Sequence, residues 1–342
     1  MSTPKGTAWQ HLRALCFDAI PIGSRVYYTY ALPLHEWRRR GSFLVSKCDK
    51  KIIVIEAASL EVGSTLLADA EYLLDHAAEQ RATVRRCVTD SIWHSPAWAS
   101  VTSYYWAFFC AMALTRLTGR STWFLDKPAI TELKILAGAV TQPGAGALLL
   151  SVGPYVSGTN RELTLRPSRS QLHDALWHCL DRLVADVFAN ADQQANPLEF
   201  RLWWCLHEAN LRLGADWPSK LRNLVNYVPG RGYREVIRDS NIDVAQYLRR
   251  RSPLTLDGVI SDFEDEVVKV KVGAPFADSI HVLCRMMALL GISLGTLVEE
   301  LHFELIERGS SDRRWLNNRR RFLQLNCPGT GQHTAWPVNT AV

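Results

Sequence analysis

The chain has 342 residues, 47% hydrophobic and 21% charged, with a formal net charge of +5. With twelve Trp, ten Tyr and eleven Phe, that balance excludes a disordered chain and supplies enough apolar surface for a sizeable core. The mild positive charge permits a nucleic-acid or acidic-protein partner without requiring one. The eight cysteines (Cys16, Cys48, Cys87, Cys110, Cys179, Cys205, Cys284, Cys327) stand singly, so no metal site or other cofactor is expected. The first residues, Met1-Ser2-Thr3-Pro4-Lys5-Gly6, run into the polar Trp9-Gln10-His11-Leu12-Arg13 and lack the apolar core of a signal peptide. No run reaches the roughly 18 apolar residues of a membrane span. The expectation is a cytoplasmic protein off the membrane, with its cysteines as small core residues.

Residues 1–56 read as an N-terminal α/β segment. Val26–Tyr30 and Lys51–Ile55 are rich in β-branched and aromatic residues and predict short strands, with Arg38-Arg39-Arg40 between them. From Ser59 to about Arg86, Leu60, Leu66, Leu67, Ala70, Leu73, Leu74 and Ala77 recur at helical spacing. Pro96 is placed to open the next helix, which runs to Leu117, is apolar nearly all round and therefore belongs in the middle of a bundle. Gly119 stops it.

Between 144 and 167 the helical pattern breaks. Ala147–Val152 and Arg161–Leu165 flank Ser157-Gly158-Thr159-Asn160, predicting a β-hairpin inserted between helices to cover a face or present a binding edge. Helices resume from Ser170 through Val187, from Leu198 to Leu213, and from Trp217 to the Pro229-Gly230 turn. A helix carrying Arg249-Arg250-Arg251 follows. The acidic run Asp262–Glu266 reads as a helix N-terminal region, and two apolar helices are expected near 277–290 and 294–306. The tail from 326 to 342 reads as loose.

Two elements carry the functional reading: Lys220-Leu221-Arg222-Asn223-Leu224-Val225-Asn226-Tyr227, and the aromatic helix opening on Tyr104-Tyr105. Together they resemble the HEPN family of helical RNA-cleaving and nucleotide-binding domains. The resemblance implies a mainly α fold: a HEPN-like bundle over 57–245 with a hairpin insertion, the small N-terminal α/β segment and a C-terminal helical extension over 246–325. In the family an Arg and a His four to six residues later perform the cleavage. Here Tyr227, Val228 and Pro229 fill that window, so the catalytic His is missing from it. A guanidinium grips a phosphate bidentately and a His moves the proton of the attacking ribose hydroxyl. An amide such as Asn226 cannot act as that base, and Tyr227 could do so only after a large downward pKa shift. Arg222 and Asn223 alternatively tie down the helix end.

The resemblance implies a catalytically degenerate subunit of a bacterial conflict or antiphage defence system, of the toxin–antitoxin kind, acting in RNA binding or complex assembly with partners encoded nearby. The alternatives are an active, metal-independent, homodimeric ribonuclease built on Arg222 with Asn223, Asn226 and Tyr227 in support, and a DNA-binding accessory protein. A second pair, Arg201 and His207, satisfies the loose family spacing, although six helical positions leave the two side chains about 120° apart. Arg166 and His173 also fit, but Pro167 starts a helix between them and separates that pair from the Arg222 helix. Arg249, Arg250 and Arg251, with Arg313, Arg314, Arg319, Arg320 and Arg321 beside Trp315 and Phe322, are candidates for phosphate tracking or partner docking. No phosphate loop, nucleophile elbow or metalloprotease motif is present.

Overall fold

The computed structural model describes residues 6–24, 32–89, 95–228, 255–273 and 275–309, together with Arg234, Val236, Val244, Tyr247 and Leu248. The expected strand at Val26–Tyr30, the helix carrying Arg249–Arg251 and the tail lie outside these residues. The described chain is mainly helical, with one small antiparallel sheet.

The polar stretch after Gly6 is a helix, α1 (Ala8–Ala19). Thr7 Oγ1 accepts from Gln10 N and the Gln10 side chain accepts from Thr7 N, a reciprocal cap that fixes where the helix starts. Its Leu12 and Cys16 are fully buried, so polar residues at the other positions masked an inward stripe. Next come α2 (Leu34–Arg40), β1 (Phe43–Cys48), β2 (Ile53–Ala58) and the long α3 (Ser59–Thr89). Ser95 caps α4 (Pro96–Leu117), which Pro96 opens as expected. Gly119 ends it in the left-handed region at φ +65°. A Cβ there would stand 2.8 Å from Ala19 and 2.9 Å from Val152, so both the turn and the close approach require glycine.

β3 (Arg120–Leu125) and α5 (Lys127–Leu136) follow, then β4 (Gly146–Ser157) and β5 (Asn160–Pro167), the expected hairpin. The hairpin is not an isolated insertion with a free edge. The strand order β1-β2-β5-β4-β3 gives both of its strands a partner on each side and joins it to the N-terminal strands. One face of the sheet, including Ile53, Ile55, Leu148, Leu150, Leu163 and Leu165, packs on Leu34 and Trp37 of α2, Val62 and Leu66 of α3, and Ile130 and Leu133 of α5. The register shift between Val152 and Tyr155 exposes the Gly153 carbonyl to Arg161, whose Nε and Nη2 donate to it at 2.9 and 2.7 Å. Arg161 also donates to the Asp18 backbone and carboxylate, tying the hairpin to α1.

The remaining helices are α6 (Leu172–Asn190), α7 (Pro197–Leu213), α8 (Trp217–Tyr227), α9 (Leu256–Lys269) and, after a 3₁₀ turn at Phe276–Ser279, α10 (Ile280–Gly309). α4 is buried among them, with Tyr104, Ala107, Cys110, Ala111 and Leu114 at most 1% exposed. A single helix replaces the two expected near 277–290 and 294–306. Gly291 and Gly295 lie inside it, and one helical turn apart they let the Trp106 ring of α4 lie against the α10 backbone. The acidic run also lies elsewhere than expected, in the middle of α9, where its carboxylates answer arginines on neighbouring helices: Glu264 takes Arg201 and Glu266 takes Arg285. Arg13–Glu304, Arg81–Glu299 and Arg116–Asp69 bridge further helix pairs at 2.5–2.7 Å.

α10 is long and apolar enough to cross a membrane, and 78% of its most apolar window is buried inside the protein, where α4 and α9 cover it. No uninterrupted apolar run marked it in the sequence. Among the described cysteines all are free and all but Cys87 are buried. Burial raises the pKa of the Cys16 thiol well above its ordinary value and pushes that of Cys284 up to about 11.

Candidate functional site at Arg222

α8 is fixed by Trp217, Leu221 and Val225, buried at four-residue intervals against the core. Arg222 thereby sits at the contact with α4. Its guanidinium carbon lies 5.6 Å from the Tyr104 ring centroid, 6.0 Å from Tyr105 and 6.0 Å from Tyr227, an aromatic cage that favours a cation. Nη1 donates to Asn223 Oδ1 at 2.6 Å. Asn223 therefore holds the guanidinium, and at the helix end Val228 N donates to Leu224 O; the Pro229-Gly230 turn that the two residues could tie down lies outside the described residues. Nε is buried with no partner.

Arginines elsewhere in the interior meet carboxylates: Arg38 with Glu132, Arg81 with Glu299, Arg116 with Asp69, Arg161 with Asp18 and Arg285 with Glu266. Among the described residues Arg222 has none. Its charge is held by ring faces and one amide, which leaves it open to an anion from outside the chain.

The structure brings a histidine to this site from a part of the sequence that spacing had set aside. His173, in the first turn of α6, stacks on Phe108 at 4.4 Å, and its Nδ1 lies 2.6 Å from the Tyr104 hydroxyl. Trp177 Nε1 donates to that hydroxyl oxygen at 3.4 Å. Burial lowers the His173 pKa and the Arg222 charge lowers it further, so the ring is neutral near pH 7. Burial also raises the Tyr104 pKa, so the phenol keeps its proton. The Tyr104 hydroxyl, which also accepts from Trp177, shares one hydrogen with His173 Nδ1 and so leaves only Nε2 of the imidazole free. Arg166, its partner by spacing, is exposed on β5 opposite Leu149 and takes no part. The sequence pointed to Tyr104, Tyr105 and Arg222, and it named His173 only as a partner of Arg166, separated from the Arg222 helix by Pro167; the packing of α6 on α4 brings it to the site instead.

The other sequence candidates separate. Tyr227 is 69% exposed beside Arg222, and Asn226 is exposed with no hydrogen bond to Arg222. Arg201 is a clamp between α7 and α9, bidentate on Glu264 at 2.9 and 2.6 Å and bonded to Asp257 at 3.0 Å. Glu264 before all else raises its pKa. His207 stacks on Phe188 at 4.9 Å, so the pair forms no site. Arg38-Arg39-Arg40 is no continuous basic patch, because Arg38 is buried on Glu132 and Arg40 pairs with Glu36. Arg249, Arg250, Arg251, Arg313, Arg314, Arg319, Arg320 and Arg321 lie outside the described residues. Among the described residues no group of three His, Cys, Asp or Glu side chains is placed to hold a metal.

Comparison with protein-family models, with curated proteins and with solved structures gives no match.

Proposed function

We propose that this chain is a HEPN-like RNA-binding protein of a bacterial conflict or antiphage system, and that Arg222 holds an RNA phosphate. The observation that carries the reading is a caged guanidinium with no carboxylate among the described residues, in a fold whose other interior arginines are matched to acids. Tyr227 offers a ring beside the charge, and His173 stands in its field. The reading extends to a cytoplasmic protein that works as a subunit with partners encoded nearby, or as a homodimer. Burial of α10 inside the bundle is in keeping with the first of these.

Tyr104 occupies Nδ1 of His173, so only Nε2 is left to face a ligand. Metal-independent cleavage is the second reading, because His173 supplies the imidazole that the Arg222 helix lacks, and it requires the tautomer in which Nε2 offers its lone pair to the ribose hydroxyl.

Fluorescence anisotropy with labelled RNA tests the first reading. Wild-type protein should bind, and Arg222→Ala should weaken binding about 10- to 150-fold, the worth of one charge-assisted contact, with the salt slope smaller by about one. A folded wild type that ignores RNA, or an Arg222→Ala protein that binds equally well, would sink it. Cleavage of the same RNA by wild type but not by His173→Gln would promote the second.

A further inference from the structure

Half-exposed aromatic rings lead away from Arg222 across the surface of α4 onto α3. Tyr105, which touches the guanidinium, lies 6.4 Å from Phe109 with the ring planes 32° apart. Phe109 stacks on His76 at 5.1 Å and 26°, and His76 meets the edge of Tyr72 at 4.6 Å. Tyr105 and Phe109 are one helical turn apart on α4, and Tyr72 and His76 are one turn apart on α3, so two antiparallel helices supply one continuous row. The rings are not sealed: Tyr72 is 50% exposed, and the His76 side chain 35%. Trp98, 64% exposed, lies seven residues before Tyr105 and therefore on the same stripe of α4.

Core packing alone does not account for such a row, because an ordinary helix pair turns large rings inward and leaves polar side chains outside. On α3, Asp69 pairs with Arg116, and Glu79 lies 3.6 Å from His76. The centroid steps are one to two times the axial rise of about 3.4 Å per nucleotide in a stacked strand. A cation at one end and a row of half-exposed rings beyond it offer what a single strand needs: one group for the phosphate and aromatic surface for unpaired bases.

We propose that the row from Tyr105 to Tyr72 is a stacking track for the unpaired bases of a single-stranded nucleic acid whose phosphate is held by Arg222. The proposal rests on the phosphate reading of Arg222 and adds to it the class of ligand, single strand over duplex, and the direction in which the strand runs. Bases in a duplex are already stacked and cannot use the track.

The test is anisotropy with fluorescein-labelled oligouridylates of 3 and 12 nucleotides, the matching single-stranded DNA and a 12-base-pair RNA duplex, on wild type, Tyr72→Leu, His76→Leu and Arg222→Ala. Tyr72 and His76 are far enough exposed for leucine to leave the fold intact, which circular dichroism confirms. Each track variant should weaken the 12-mer about 5- to 150-fold, the loss expected for one base–aromatic stack, and leave the 3-mer unchanged. Arg222→Ala should weaken both lengths. Track variants that bind the 12-mer like wild type while Arg222→Ala does not would overturn the track and leave the phosphate reading standing. Duplex bound as tightly as single strand would also overturn it. A 12-mer whose binding fails with Tyr72→Leu and survives Arg222→Ala would uphold the track and remove the phosphate reading. No binding by wild type would end both. Equal affinity for RNA and DNA would uphold stacking as the shared chemistry.

Discussion

The Tyr104 hydroxyl lies 2.6 Å from His173 Nδ1, and this contact joins the third turn of α4 to the first turn of α6, with the Arg222 guanidinium 5.6 Å from the Tyr104 ring. Tyr104 in turn accepts from Trp177 Nε1, so one hydroxyl links three side chains. Removing the hydroxyl in Tyr104→Phe strands a buried indole N–H and an imidazole nitrogen. The expected loss is about 1–3 kcal/mol, the penalty of leaving such groups unpaired. Burial and the Arg222 charge, which lower the His173 pKa, both remain in that variant. Urea denaturation checks the loss, and an unchanged midpoint would show that the Tyr104 hydroxyl does not hold the ring.

The depressed His173 pKa has a defined consequence for stability. The native state disfavours the protonated ring, whereas the unfolded chain protonates near pH 6.5. Between the folded-state pKa and about 6.5 the unfolded chain therefore binds more protons, and stability rises with pH. Below that window the full penalty applies, and above it there is none. Glu199 contributes the opposite slope: burial raises its pKa, so its contribution is present below about 4.5 and lost as pH rises through the folded value. The informative measurement is therefore the difference between wild type and His173→Gln in denaturation midpoint from pH 7.5 to 5. The wild type should lose stability on acidification faster than the variant. Parallel curves would refute the assignment.

Arg116 and Asp69 meet at 2.5 Å with side chains 4% and 15% exposed, linking α4 to α3. Arg116→Met should cost about 3–5 kcal/mol, because it leaves Asp69 largely buried without its cation. The double variant Arg116→Met/Asp69→Leu should recover most of that loss. Chemical denaturation of the four proteins gives the coupling directly, and additive losses would mean that the two side chains do not depend on each other.

Elements with local signals could be read from the chain, and those defined by distant neighbours could not. α4 announced both ends through Pro96 and Gly119, and the hairpin through Gly158-Thr159, because caps and turns are written in the residues that form them. β1 and β3 were missed for the converse reason. Leu44 and Phe124 face outward at 59% and 57% exposure, and neither strand makes sense until the hairpin joins them in one sheet. The acidic run of α9 suggested a helix start and instead answers Arg201 and Arg285, a pairing that no local rule contains. The site divides in the same way. Arg222 and the tyrosines could be read from motif, whereas His173 reaches them only through the packing of α6 on α4.

Gly291 and Gly295 test whether the close approach of α10 to α4 is what keeps glycine in the middle of a long helix. Alanine is favoured over glycine in a helix interior by about 1 kcal/mol, so each substitution starts with a gain. At Gly295 the added methyl would stand 3.4 Å from Trp106 Nε1, an ordinary contact, and Gly295→Ala should stabilise the protein by about 0.5–1 kcal/mol. At Gly291 it would stand 3.0 Å from Trp106 Cε3 and 3.1 Å from Cδ2, in the body of a ring only 6% exposed. A buried indole cannot swing aside, so the helices must separate, and overpacking of about 1–3 kcal/mol outweighs the helical gain. Gly291→Ala should therefore melt below wild type and Gly295→Ala above it. Replacing Trp106 by Leu should remove the penalty at Gly291, since the ring that causes it is gone. Two alanines that both stabilise would mean that α10 and α4 lie further apart than Trp106 allows.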